Sequence, residues 1–407
     1  MTRHRLGWLL ALVPLATAHA ADEPDWLTKA RVAEAAPMAP VEIRSPDGEL
    51  TARVPAKLAG PITRDETEYQ LQFAVGPEVT VNCELVFDGF DSAGLLRSAA
   101  LATFDEVSKS LGKVETSAVE GVDVGAWGPY PYLSARWLYR VAMEGGARLG
   151  GLKQVAVDMH QHGLYCAVAD LGYERTLVTI ARSLAESLRL KGAEPTLPKY
   201  LDISTISLGA MKVGWSVNEV SVDADGDLRG VNRSTMLAPA GQGGASAADT
   251  VQVEWTDPKG AMLNAAHVAV NNDSNEADLK LAADSGEQWR VSGTFRSKSL
   301  DSVVAGGPPS SNYAGLLERR AAMAGANPVG HHGTAQVWTS LDPTRFIEVS
   351  YKIVERLPDG TFRVEETIGP VTAISVLDPA TGTPIKTSLP IGPQTMTVER
   401  IFKHGTP

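Results

Sequence analysis

What the sequence has little of narrows the field first. Two cysteines in 407 residues allow one internal disulfide at most. The apolar run at residues 6–15 is shorter than the roughly 20 residues needed to span a bilayer. Positive charge is short as well: 37 Lys and Arg stand against 48 Asp and Glu, a formal net charge of −11. That balance disfavours nucleic acid and anionic membrane surfaces as partners. Catalytic signatures are missing too. There is no Gly-x-Ser-x-Gly, no His-Glu-x-x-His, no phosphate-binding glycine loop and no dinucleotide fingerprint. No cofactor is implied.

The N-terminus reads as an export signal. Arg3 and Arg5 supply the positive end, residues 6–15 the apolar centre, and Ala18-His19-Ala20 a small-residue cleavage site. No cysteine follows that site, which argues against a lipid anchor, so the mature chain is expected to be soluble, periplasmic or secreted, with no transmembrane anchor. Its hydrophobic content of 43% is ordinary for a globular protein, and its length is ample for two domains.

The chain is organised around residues 151–190, which read as strand, tight turn, strand and closing helix. Val155, Val157 and Met159 share one face at period two, and His160-Gln161-His162-Gly163 forms the turn. After Gly172 the period changes: Tyr173, Leu177, Ile180, Leu184 and Leu188 make one helical stripe. Before this stretch lie a leader at 21–40, a hairpin at 41–54 turning on Pro46-Asp47-Gly48, and a strand pair within 68–87. A helix over 92–111, capped by Asp91 or Ser92, and strands at 114–124 and 133–141 follow. Cys83 and Cys166 fall in strand-like runs, each at even spacing from apolar neighbours. In an oxidising compartment this predicts a Cys83–Cys166 disulfide, with two separately buried thiols as the alternative.

The order of elements across 41–190 resembles the PsbP-like α/β/α sandwich. The carriers are the hairpin at 41–54, the helix at 92–111 and the segment GLYCAVADLGYERTLVTIARSLAESL. The resemblance implies an antiparallel sheet between helical layers and a binding or assembly module, often without catalysis. It carries over no site residue.

Residues 191–199, with Pro195 and Pro198, read as a linker to a β-rich domain at 200–407. Ala238 to Asp249 is low in complexity and reads as a mobile loop. A lone helix is expected at 313–324, and strict alternation in RFIEVSYKIVER suits an antiparallel sheet covered on one side. The long strands and the turn at 378–384 resemble the curved half-barrels of periplasmic lipoprotein carriers, which implies a hydrophobic ligand in a concave face. The expected class is therefore α+β: an N-terminal α/β/α sandwich, then a mainly antiparallel β domain forming a curved sheet or half-barrel.

Candidate sites are few. Residues 127–139 hold five aromatics. Pro129 and Pro131 stiffen the segment, so Trp127, Tyr130 and Tyr132 are displayed at low entropic cost, and Arg136 adds a fork for a carboxylate. Ordinary core packing competes with this, because Trp137 and Tyr139 alternate as core-facing strand residues do. Asp223, Asp225 and Gly226 imitate part of a calcium loop, but Ser221 and Asn232 stand where ligating carboxylates belong, so a hairpin turn is expected. His160 with His162, and His331 with His332, lack the further ligands a closed zinc site needs, so no metal is expected. The reading is an exported, non-catalytic binding or assembly protein whose partner is an envelope component or another protein. A carrier of a hydrophobic ligand is the alternative, and an envelope hydrolase with dispersed catalytic groups a third.

Overall fold

The computed structural model describes residues 25–87, 91–192, 196–241, 244–284, 288–305 and 309–407. The export signal expected at 1–20 lies outside them, as does part of the expected linker.

Helix α1 (Asp25–Arg31) leads into the hairpin β1 (Val41–Arg44) and β2 (Leu50–Val54). Gly48 sits at φ 73° in its turn, the left-handed conformation the Pro-Asp-Gly signal demands. The strands β3 (Lys57–Leu58), β4 (Thr63–Arg64), β5 (Glu68–Gly76) and β6 (Val79–Val86) precede helix α2 (Ser92–Ser110). Three long strands follow, β7 (Val114–Trp127), β8 (Tyr130–Met143) and β9 (Gly146–Asp158), then β10 (Gly163–Val168), helix α3 (Glu174–Ser187) and β11 (Arg189–Leu190). These strands form a three-stranded sheet, β1-β2-β11, and an eight-stranded sheet, β3-β5-β6-β10-β9-β8-β7 with β4 beside β5.

The rest of the chain is one 14-stranded antiparallel sheet. It opens with the meander β12 (Tyr200–Leu208), β13 (Met211–Val222), β14 (Leu228–Pro239), β15 (Ala245–Thr256), β16 (Met262–Asn271), β17 (Ser274–Ala283), β18 (Gln288–Phe295) and β19 (Lys298–Ala305). Helix α4 (Asn312–Ala324) separates this from a second meander: β20 (His332–Val337), β21 (Ile347–Arg356), β22 (Phe362–Ile368), β23 (Val371–Leu377), β24 (Pro384–Ile391) and β25 (Gln394–Gly405). The first strand, β12, pairs with the last, β25, and so joins the two meanders.

The expected α+β class with an α/β/α sandwich does not form. The chain is mostly β, and its few helices do not make outer layers. Helix α2 shows why. Its apolar face, Ala93, Leu96, Ala100 and Phe104, shares one core with Val124, Leu133, Trp137 and Leu152 of the eight-stranded sheet and with Leu201, Ile203, Trp215, Val217, Leu237 and Ala247 of the larger one. The apolar face of the helix is covered by two sheets at once, while Leu101, Ala102, Asp105 and Glu106 stay exposed, so the helix joins the sheets and does not form an outer layer on one of them. Phe104 meets Trp137 edge-on at 5.8 Å and Tyr139 at 5.2 Å. Helix α3 has a separate core, burying Leu177, Ile180 and Leu184 among the small sheet, β5, β6 and β10.

The 14-stranded sheet curls around α4. At one end of the helix Tyr313 packs against Tyr200, Val220 and Leu228 on β12–β14; at the other Met323 packs against Ile353, Phe362, Val364 and Leu377 on β21–β23. Laid flat at about 4.8 Å per strand, β14 and β21 would lie over 30 Å apart, beyond the roughly 20 Å that 13 residues of helix reach. The sheet therefore bends until both sides meet the helix. Trp338, after β20, packs with Met262, Leu281, Trp289 and Val291 of β16–β18, and the Ser310 amide donates to the Gln336 carbonyl at 2.7 Å. The far ends of the sheet thus meet through side chains and loop backbone, not through a ladder.

The loop expected from Ala238 to Asp249 is largely strand. β14 runs to Pro239, β15 starts at Ala245, and the two stay in register from Leu228↔Thr256 to Pro239↔Ala245. Small residues there mark close packing against α2, not a lack of structure.

Neither Asp91 nor Ser92 caps α2 through its side chain; the Ser92 hydroxyl is buried without a partner. The cap is Asp249 of β15, which accepts from the Ala93 amide at 3.2 Å and the Gly94 amide at 2.8 Å, with Thr235 donating to the same carboxylate. Burial pushes the Asp249 carboxyl up to about 6, against the pull of these hydrogen bonds. Between an unfolded value near 4 and about 6, the native state then binds more protons than the unfolded chain, so stability falls as pH rises through that window. The difference between wild type and D249N should carry this slope, about 3 kcal/mol at most. Urea midpoints measured from pH 4 to 7 check it; a difference flat in pH would contradict it.

Candidate functional site

The aromatic segment folds onto itself. Trp127 is buried and stacks on Tyr132, with ring centroids 4.4 Å apart and planes at 21°. The Tyr132 hydroxyl donates to Asp123 at 3.2 Å, and burial, with Asp123 beside it, raises the phenol to about 12. Arg136 donates to Glu174 at 2.7 Å, at the start of α3. Tyr130 lies apart from these, half-buried, its ring 5.7 Å from that of His160 in a shallow cleft that also holds Met159, His162 and Leu188. The structure thus brings Trp127 and Tyr132 together, commits the Arg136 fork to Glu174, and leaves Tyr130 beside the histidine hairpin.

That hairpin is not a solvated turn. His160 has a positive φ of 68° and only 13% of its side chain exposed. Its Nδ1 lies 2.8 Å from Glu219 on β13. Glu219 pairs with Arg233 on β14, whose other nitrogen lies 3.3 Å from Asp158. Asp158 in turn accepts from the His160 amide at 2.8 Å. Burial alone would raise the Glu219 carboxyl, but the His160 hydrogen bond and the Arg233 charge outweigh it and hold it low. This closed network ties the end of β9 to the larger sheet. The His160 Nε2 is buried and meets no hydroxyl or thiol at hydrogen-bond distance among the described residues, so the network is arranged as a tie and not as a nucleophile–base pair.

The accessible polar surface lies elsewhere, on the α4-facing side of the 14-stranded sheet. Cross-strand partners share a face. By register, Lys403, Asp202, Asn218, Asn232, Gln252 and His267 stand side by side on β25, β12, β13, β14, β15 and β16. One row along, Arg400, Ser204, Ser216, Ser234 and Thr250 do the same. Asn232 is exposed in the middle of its strand, Asn218 and Gln252 beside it are half-buried, and Asp202, Ser204 and His267 are buried, so the face is open only around Asn232. The opposite face of the same strands carries Leu201, Trp215, Val217 and Leu237, buried against α2 and β8. Alternation along β12–β15 therefore separates a packing face from a polar one.

The polar side chains are already ordered. Asn232 donates to the Asn218 side-chain oxygen at 2.6 Å, Asn218 to Asp202 at 2.9 Å, and the Tyr200 hydroxyl to the other Asp202 oxygen at 2.6 Å. Ser234 and Thr250 share a hydrogen bond of 2.7 Å. Glu254 accepts from Gln252 at 2.8 Å and from the Asn312 amide at 2.8 Å, which holds α4 to the sheet. Burial raises both Asp202 and Glu254, against the hydrogen bonds they accept. His267 is 6% exposed with both ring nitrogens unpartnered, and burial lowers its imidazole.

Sequence reasoning missed these rows because their members lie 12–20 residues apart from strand to strand within β12–β16, and on β25 far beyond that; the one signal was the recurrence of Ser, Thr, Asn and Gln at alternate positions. Asp223 spends its carboxylate on the Asp225 and Asp227 amides of a hairpin turn, at 3.0 and 2.9 Å. Among the described residues no three His, Cys, Asp or Glu side chains gather to hold a metal, and no helix is long and apolar enough to cross a membrane.

Fold and site together define a mainly antiparallel β protein whose larger sheet packs one face against α2 and the smaller sheet and carries polar rows and α4 on the other. No protein-family model matches the sequence, nor does any curated protein. Among solved structures, a β-barrel-like protein with a domain of unknown function, DUF1849, from Brucella abortus aligns at 11% identity over 51% of this chain and 97% of its own, with a TM-score of 0.40. A DUF1089 family protein from Pseudomonas aeruginosa aligns at 13% identity over 48% of this chain and 91% of its own, with a TM-score of 0.21. Likenesses this slight leave the functional reading to the chain's own residues.

Proposed function

We propose that the chain is an exported binding protein of the cell envelope, and that its ligand lies on the polar face of the 14-stranded sheet. The observation that carries this is the exposed Asn232, in the middle of a polar row on the α4-facing side of the sheet. Export is supported by the charged, apolar and small-residue succession at 3–20 and by the Cys83–Cys166 disulfide, which suits an oxidising compartment. The hydrophobic-carrier alternative is the weaker reading, because the open face bears Ser, Asn, Asp and Gln where acyl chains need aliphatic walls.

Native mass spectrometry of the full chain isolated from the periplasm of its own cells provides the test. The expected result is a mass adduct on the wild type that N232W loses without a change in melting temperature. An adduct that survives N232W would place binding elsewhere, and an adduct-free wild type carrying no partner would remove the binding reading.

A further inference from the structure

Beyond that reading, and on a different surface, we infer that one end of the 14-stranded sheet is a docking rim for a phospholipid membrane, made of apolar hairpin tips beside two free cations.

The tips are the first support. The hairpins β12–β13, β24–β25 and β22–β23 follow one another in the sheet, and their turns lie at the same end. Each is a two-residue turn, closed by the pairs Leu208↔Met211, Ile391↔Gln394 and Ile368↔Val371. Glycine stands first in all three, at φ 57°, and Ala210, Pro393 or Pro370 second, so the tips are tight and already ordered. All six turn residues are exposed and none is charged. Ile368, at the edge of its tip, is 40% exposed. The next connection at this end, from β20 to β21, adds Leu341, at 72% the most exposed large apolar side chain among the described residues. Behind the tips, Leu208, Met211, Ile391 and Met396 continue into an apolar cluster whose members all come from this sheet. An exposed apolar run of this kind marks a surface that meets a protein or a membrane.

Charge decides between the two. Arg296 and Lys298, at the β18–β19 turn of the same end, are exposed, and neither pairs with a carboxylate among the described residues. Phe295 and Phe346 pack on one cluster with Trp338, which brings this turn beside the connection that carries Leu341. The carboxylates in the turns at this end are engaged, Asp273 by Arg97 and Asp342 by Arg345 at 2.7 Å. The turns at the opposite end hold Asp223, Asp225, Asp257 and Asp359 instead. Strand β13, with 12 residues, sets the two ends about 40 Å apart, several Debye lengths of about 8 Å. The net charge of −11, which argues against an anionic surface for the chain as a whole, is therefore screened from the rim. Two unpaired cations beside apolar groups complement lipid phosphates lying over acyl chains. The three tips stand about 10 Å apart, two strand spacings, and a fluid lipid surface closes around separate protrusions where a rigid partner would need a matching socket for each.

Flotation of the full, oxidised chain with vesicles at physiological salt tests the inference. The probes are phosphatidylcholine alone and phosphatidylcholine mixed with phosphatidylglycerol. The chain should float with the mixed vesicles and several-fold less with phosphatidylcholine alone. Leu341→Glu together with Ile368→Glu should lower the bound fraction at least tenfold with an unchanged melting curve. Leu341→Glu by itself, at the more exposed site, should lower it several-fold. Arg296→Gln with Lys298→Gln should bring binding to the mixed vesicles down to the level on phosphatidylcholine. No flotation with either vesicle would overturn the inference, as would flotation indifferent to Leu341 and Ile368. A chain that does not float but forms a dimer, which the paired Glu variant makes monomeric, would also overturn it and make the rim an interface between two copies.

Discussion

Replacing Cys83 and Cys166 together by alanine is expected to cost about 4 kcal/mol of stability, the loop-closure value for a bridge spanning 83 residues of sequence. The two cysteines are directly opposed in the register of β6 and β10, with Cα atoms 4.1 Å apart. Both are buried in the core that α3 covers, beside Leu71, Val81, Leu85, Val155 and Leu164. The bridge joins strands that also hydrogen-bond, so the fold should survive its loss at lower stability. Urea denaturation of the oxidised wild type and the double variant measures the difference. A loss below about 1 kcal/mol would mean that the unfolded chain gains little freedom when the bridge is absent. Because both sulfurs are buried, dithiothreitol should leave the bridge intact until denaturant is added.

Trp215→Ala should cost about 3–5 kcal/mol, the range for removing a large buried aromatic side chain. Trp215 lies on β13, is 3% exposed, and belongs to the core that α2 shares with both large sheets. The same core contains residues from either side of the linker at 191–199, so its loss should be felt by both halves. Calorimetry should show one endotherm moving down as a whole. Two endotherms, of which only the later-chain one moves, would show that the halves unfold separately. N232A, one strand away on the opposite face, serves as the control and should change stability by less than about 0.5 kcal/mol.

Local structure was legible wherever it depends on neighbours in sequence. The Pro-Asp-Gly turn at 46–48, the period-two strands around His160 and the stripe of α3 all took the form their residues imply. The cysteine prediction held for the same reason: even spacing from Val81, Leu85, Leu164 and Val168 put both sulfurs on apolar strand faces, and the two strands proved adjacent.

What the sequence by itself determined is therefore most of the strands, turns and helices and their apolar sides, with the strand ends from Ala238 to Asp249 the exception. Tertiary structure decided how many layers those sides would make. An apolar stripe on α2 specifies that the helix is covered, not by what, and a second sheet supplied the cover where a solvated layer was expected. It also decided which carboxylates from far along the chain reach the helix starts: Glu34 accepts from the Thr176 amide at 2.8 Å, Asp249 caps α2, and Glu254 joins the local cap Ser311 at α4. A cap of this kind leaves no local signature, because an amide accepts any carboxylate that packing delivers. The polar rows follow the same rule. Alternation places Asn218 and Asn232 on one side of their strands, but only the pairing register sets them next to each other and next to Asp202. Register is fixed by the turns, bulges and buried faces of the whole sheet, so the polar rows exist only once the sheet has formed.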